Sequence, residues 1–173
     1  MALQGEYLGM PVSIPELDRE NTAFYKYCGA RQLHLQSCTE CGLKRYPPNT
    51  ACPWCANEGA EWLPVEGKGT VHSYGEVHHA IQPAFRQFTP YLILLVELDE
   101  QKGQPTEHDG IRFNGNLSTP DGEMAPPDVV KQVGIGTRVR VVFKDIGEDI
   151  AIPLWTIDEE ADQPETPWRY AIE

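Results

Sequence analysis

The sequence predicts a mainly β protein in which an N-terminal helix and a metal-stapled ribbon precede a small closed barrel. Three observations predict it: two C-x-x-C pairs about ten residues apart, six short apolar runs separated by turn residues, and abundant glycine and proline. The 173 residues, 40% of them hydrophobic, are enough for one or two small domains with an ordinary core and no need of disulfides. With 15 Gly and 15 Pro, long continuous helices are disfavoured.

The elements follow in order. Residues 1–17 read as a leader broken by Pro11 and Pro15. Asp18 is the expected N-cap of a helix over Asp18 to Gly29, with Phe24, Tyr27 and Cys28 on one face and Gly29 as its stop. Leu33-His34-Leu35-Gln36 alternates as a strand entering the first cysteine pair, so residues 18–64 form a helix plus a four-cysteine ribbon. Strands are then expected at Glu61 to Val65, Gly69 to Val77, Tyr91 to Leu98, Ile111 to Leu117, Thr137 to Ile146 and Ile150 to Thr156. In the fifth of these, Val139, Val141 and Phe143 fall on one face, and Arg138, Arg140 and Lys144 mostly on the other. About five strands in residues 65–156 fit an OB-fold barrel. Residues 157–173 are an acidic and aromatic tail, running from Asp158-Glu-Glu160 to Trp168, Tyr170 and Ile172; disorder or docking, on this chain or a partner, are its two readings.

The cysteines carry the strongest chemical signal. Cys38-Thr-Glu-Cys41 and Cys52-Pro-Trp-Cys55 have the spacing of two zinc knuckles, each a tight turn that aims two thiolates at one point. Four thiolates fill a tetrahedral shell, so the expected zinc is structural and has no open position for catalysis. Disulfides or buried thiols are the competing reading, and a redox role would need only one such pair, set between a strand and a helix. Cys28 lies outside the pattern and reads as a small buried apolar residue.

Charge and hydropathy narrow the function classes. Fourteen Lys and Arg against 26 Asp and Glu leave a net charge of −12, which opposes nonspecific binding to nucleic acid or anionic lipid. The longest apolar cluster, Tyr91 to Val96, runs into Glu97 and Asp99 and is too short to span a bilayer as a helix. The opening MALQGEYLGM has no basic start followed by an apolar stretch, so a cytoplasmic location is expected. Two long loops, His78 to Pro90 and Ser118 to Asp128, interrupt the strands. The first carries His78, His79, Ile81, Phe85, Arg86 and Phe88, apolar enough to be either a barrel lid or a docking surface. No G-x-S-x-G or H-E-x-x-H motif is present.

In order and spacing, a further set of residues resembles a known family. It comprises Asn21 to Phe24, Leu33-His-Leu-Gln-Ser-Cys38, Cys41-Gly42, Tyr46-Pro-Pro48, Cys52-Pro53 and Glu61-Trp62. It continues through Gly67-Lys-Gly-Thr-Val71 with Ser73, Pro90-Tyr91, Val96-Glu-Leu98, Ile135-Gly136 and Val139 to Phe143. The family comprises bacterial and archaeal proteins that join a rubredoxin-like zinc ribbon to an OB-fold and accompany acyl-CoA enzymes. The resemblance implies a noncatalytic accessory subunit in a hetero-oligomer with a thiolase-like catalytic subunit, or in some systems a hotdog-fold hydratase. Members include the small subunit of benzoylsuccinyl-CoA thiolase, in aromatic compound degradation, and partners of steroid side-chain aldolases. This protein would supply an interface and one wall of the CoA channel. Lys44, Arg45 and Arg86 are the candidate contacts to CoA phosphates, Phe85 and Phe88 the apolar contacts, and His78 a further CoA or partner contact. Trp168 and Tyr170 are the candidate docking residues of the tail. Ala56 departs from the family pattern, which usually has glycine after the second knuckle, and the tail is longer than the common core. The competing classes are a single-stranded nucleic-acid module and a CoA-binding scaffold without an obligate enzyme.

Overall fold

A computed structural model describes residues 2–15 and 17–171. The leader is not featureless. Strands β1 (Leu3–Tyr7) and β2 (Met10–Ile14) pair antiparallel, Leu3 opposite Ile14 and Tyr7 opposite Met10. The two-residue turn between them holds Leu8 at φ 52 and Gly9 at φ 79, the left-handed geometry that matches strand twist. Leucine at the first turn position hides the hairpin from a search for Asn-Gly or Asp-Gly. Met1 and Glu16 lie outside the described residues.

Helix α1 (Arg19–Gly29) starts as expected, the Asp18 carboxylate accepting from the Asn21 N–H at 3.1 Å. Its last residue is Gly29, as expected, but the left-handed closure lies two residues further on. The Gln32 N–H reaches the Tyr27 carbonyl at 3.0 Å and the Arg31 N–H the Cys28 carbonyl at 2.9 Å, a Schellman closure in which Arg31, at φ 61, takes the left-handed place. Gly29 serves close approach instead, because a Cβ there would collide with the Asp149 carbonyl. Phe24 and Cys28 turn inward, and α1 packs on β3 (Leu33–Cys38). That strand is the centre of a three-stranded sheet, flanked by β4 (Lys44–Arg45) and β5 (Ala60–Val65).

The chain forms two compact units, each assembled from three segments. The first comprises Met1–Glu66, Glu100–Ile111 and Phe143–Pro153, and holds the hairpin, α1 and the three-stranded sheet. The second comprises Gly67–Asp99, Arg112–Val142 and Leu154–Glu173. It is built on β6 (Lys68–Val77), β7 (Tyr91–Leu98), β8 (Arg112–Asn116), the one-turn helix α2 (Pro127–Val130), and parts of β9 (Arg138–Gly147) and β10 (Ile150–Ile157). The five strands run in the order β10-β9-β6-β7-β8. A parallel bridge between Leu117 and Trp155 joins the two edges, and the Ser118 N–H donates to the Trp155 carbonyl at 2.7 Å, so the sheet closes.

Leu92, Leu94, Val96 and Leu98 alternate along β7 into the core with no exposed surface, and Phe113 meets Trp155 edge-on with ring centroids 5.7 Å apart. The mainly β architecture read from the sequence is the one found, with a lone N-terminal helix, a four-cysteine cluster and a five-stranded sheet. Along β9 the expected alternation does not persist. Val139, Val142 and Ile146 are the buried positions, at spacings of three and four, while Val141 and Phe143 are only half-buried. The strand turns over along its length, as a barrel strand that coils must. No helix among the described residues is long and apolar enough to cross a membrane.

Candidate metal centre

The ribbon's two turns are built alike. After Cys38, the Gly42 N–H returns to the Cys38 carbonyl at 2.9 Å; after Cys52, the Ala56 N–H returns to the Cys52 carbonyl at 2.9 Å. Each turn ends in a left-handed residue, Gly42 at φ 73 and Ala56 at φ 62. Glycine takes that conformation freely, whereas alanine sets its Cβ against the backbone. We therefore expect Ala56→Gly to stabilise the ribbon by about 1 kcal/mol. Chemical denaturation of the metal-loaded chain would read this as a raised midpoint, and a lowered one would contradict strain at this turn.

The turns bring together the four thiols that the spacing singled out. Cys38, Cys41, Cys52 and Cys55 Sγ atoms all lie within 4.8 Å of one another, with Cys38 to Cys55 at 3.5 Å and Cys41 to Cys52 at 3.6 Å. A tetrahedral ion with metal–sulfur bonds of about 2.3 Å sets its sulfurs about 3.8 Å apart, so the cluster has the span to hold one. All five cysteines are free thiols. The Cys41 backbone N–H, helped by Glu40 N–H and the Asn57 side chain, holds the Cys38 thiol down to about 6. Asn57 Nδ2 lies 3.7 Å from that sulfur and 3.1 Å from Thr39 Oγ1, bracing the first knuckle from outside.

The remaining candidates are distributed over both units. Lys44 and Arg45 form β4 in the first; the Lys44 backbone is clamped by the Gln101 side chain, and Arg45 is buried. His78, Phe85, Arg86 and Phe88 belong to the second, the last three on a 3-10 turn, Pro83–Phe88. Phe85 is half-buried with its ring 5.3 Å from that of Tyr91, and Arg86 is exposed. His78 is exposed, with Nε2 3.4 Å from Glu76. The structure brings His78, Trp168 and Tyr170 to one cavity of about 310 Å³, shared with Tyr74, Glu76 and Ile135.

The tail lies on the barrel unit. Trp168 and Ile135 exchange both backbone hydrogen bonds, at 2.9 and 3.1 Å, and the Tyr170 N–H donates to the Tyr74 hydroxyl at 2.8 Å. The residue that anchors it is one the sequence reading passed over. Arg169 donates to the Val130 and Val133 carbonyls, pairs with Glu76 at 2.6 Å, and sits 5.4 Å above the Tyr74 ring. Trp168 and Tyr170 themselves remain 57% and 75% exposed, so their rings are presented outward rather than spent on docking. Asp158, at the start of the acidic tail, is buried. Ile172 lies outside the described residues.

The chain is 33% identical over 113 residues to a DUF35 domain-containing scaffold protein of Methanocaldococcus jannaschii, covering 65% of this chain and 67% of that one. The chain belongs to the DUF35 family. Residues 62–144 of this DUF35 chain match the family described as ChsH2, C-terminal OB-fold domain. A solved structure, an Ltp2-ChsH2(DUF35) aldolase, matches with a TM-score of 0.63 and 29% identity, covering 83% of this chain and 98% of that one. A probable enoyl-CoA hydratase alpha subunit of Thermomonospora curvata is 36% identical over 86 residues, half of this DUF35 chain and 26% of the hydratase subunit. The chain thus spans about a quarter of that relative's length.

Proposed function

We propose that this DUF35 chain is a noncatalytic subunit of a cytoplasmic acyl-CoA complex, carrying one structural zinc at Cys38, Cys41, Cys52 and Cys55. Its partner is a thiolase-superfamily enzyme that cleaves a carbon–carbon bond of a CoA thioester, by thiolysis or retro-aldol chemistry, in aromatic or steroid breakdown. The observation that carries this reading is the likeness to a DUF35 chain named as part of an aldolase, nearly all of which is covered. The thiols support an accessory role. Four are gathered in one cluster with no coordination position to spare, and burial pushes the fifth, Cys28, up to about 12, the opposite of an activated nucleophile. In this reading Arg86, between the half-buried Phe85 and Phe88, meets a CoA phosphate and His78 is a further CoA or partner contact, while Lys44, in the first unit, is a separate candidate contact.

Affinity purification of the tagged chain from its native cells at moderate salt, followed by mass spectrometry and an acyl-CoA cleavage assay, tests the proposal. A stoichiometric thiolase-like protein that loses activity without this chain is the expected result. A chain recovered alone, or carrying nucleic acid, would overturn it and favour the barrel as an independent binding module.

A further inference from the structure

We propose that a cavity beside the start of α1, on one face of the three-stranded sheet, binds a small organic monoanion. Its carboxylate would pair with Arg45 and its flat portion would lie along Trp62. Gln36 stands opposite both Arg45 on β4 and Trp62 on β5, so the three side chains share a face of the sheet. The cavity measures about 370 Å³ and is bordered by Arg45 and Trp62 together with Arg19, Glu20, Asn49 and Glu58. That volume is at the small end of the range for organic ligands, roughly 300 to 1,000 Å³.

Arg45 is the observation that points to a ligand. It is 3% exposed, yet it makes no ion pair among the described residues. Its Nε donates to Gln36 Oε1 at 3.0 Å, and the same oxygen takes the Asn49 N–H at 2.9 Å, so that acceptor is fully engaged. Nη1 is buried with no hydrogen-bond partner among the described residues. A guanidinium carries five N–H donors in a planar fork suited to two oxygens of one oxyanion. Burying that charge without a counter-charge is costly, and a bound carboxylate removes the cost.

The lining also sets the ligand's charge. The lining holds Glu20 and Glu58 beside Arg19 and Arg45, neither glutamate in an ion pair with Arg45, so the site suits one negative charge on Arg45 and repels a dianion or polyphosphate. A single negative charge on Arg45 leaves the two glutamates to accept from a hydroxyl or amide N–H on the ligand. His34, two residues before Gln36 on β3, stacks on Tyr27 with centroids 3.9 Å apart and keeps a buried Nδ1 with no hydrogen-bond partner among the described residues, so this face of the sheet is polar. The inference does not rest on the acyl-CoA reading, and its test needs no partner enzyme.

Hippurate combines a carboxylate, an amide N–H and a flat ring, and is the probe of choice; acetate and inorganic phosphate are the controls. Titration calorimetry on the metal-loaded full chain is expected to show one hippurate site, tighter than acetate or phosphate. Arg45→Lys keeps the charge but loses the fork, and should weaken hippurate about tenfold, whereas Lys102→Gln on an exposed loop should not. Trp62→Leu should bring hippurate down to the affinity of acetate. Absence of saturable binding by all three probes, or hippurate binding unchanged in both Arg45→Lys and Trp62→Leu, would overturn the assignment. Should Arg45→Lys fail to fold, the wild-type NMR spectrum decides. Hippurate must shift the Trp62 indole and Asn49 amide resonances, and shifts confined to other regions would refute the site.

Discussion

Replacing Cys41 by serine should abolish metal binding and collapse soluble yield together. Between Thr39 and Gly59 only Arg45 and Cys52 are buried, so the two knuckles have almost no apolar core to hold them once the thiolates are unbridged. A structural zinc contributes roughly 10 kcal/mol or more to folding in such modules, well beyond the approximately 1 kcal/mol of a single hydrogen bond. Elemental analysis of the purified wild type should give one zinc per chain, and strong chelators should unfold the ribbon. A Cys41→Ser protein that is zinc-free yet keeps native hydrogen-exchange protection over residues 33–65 would remove the metal from the account of this fold.

The second large effect is expected at Trp155. This side chain has no exposed surface, its ring edge meets Phe113, and its backbone carbonyl accepts from both the Ser118 N–H at 2.7 Å and the Ser118 hydroxyl at 3.1 Å. Trp155→Ala would leave a cavity where β10 meets the end of β8, costing about 3 to 5 kcal/mol in urea denaturation. Trp155→Phe should cost less, about 1 to 2 kcal/mol, because it keeps most of the ring and removes an indole N–H that is buried with no partner among the described residues. An alanine variant less than about 1 kcal/mol below wild type would mean that barrel closure does not depend on this residue.

Much of the architecture is legible in local pattern. The helix start follows from Asp18, and the strands from Ala60–Val65 to Ile150–Ile157 lie close to the apolar runs bounded by Gly, Pro, Asn and Asp. The four-thiol cluster is legible for the same reason, since a C-x-x-C turn is too short to point its two sulfurs apart. Features without a local signal were missed. The β1–β2 hairpin turns at Leu8, the left-handed residue that closes α1 is Arg31 rather than a glycine, and the buried face of β9 changes at Val142. In each case a residue type that ordinarily avoids the conformation, or breaks the period, is held there by tertiary packing.

The candidate sites divide along the same line. Spacing alone singled out the four thiols that the fold gathers, because the geometry within a knuckle is set by a few covalent links. Tertiary structure alone decided that Arg169 seals the tail, through a pair with Glu76 that is 93 residues away, and that Arg45 is an enclosed cation instead of a solvated one. Sequence periodicity reports which residues turn inward, and their spacing which ones can share a metal. The partner of a buried charge depends on which distant backbone and side chain the fold brings beside it, and no local pattern encodes that.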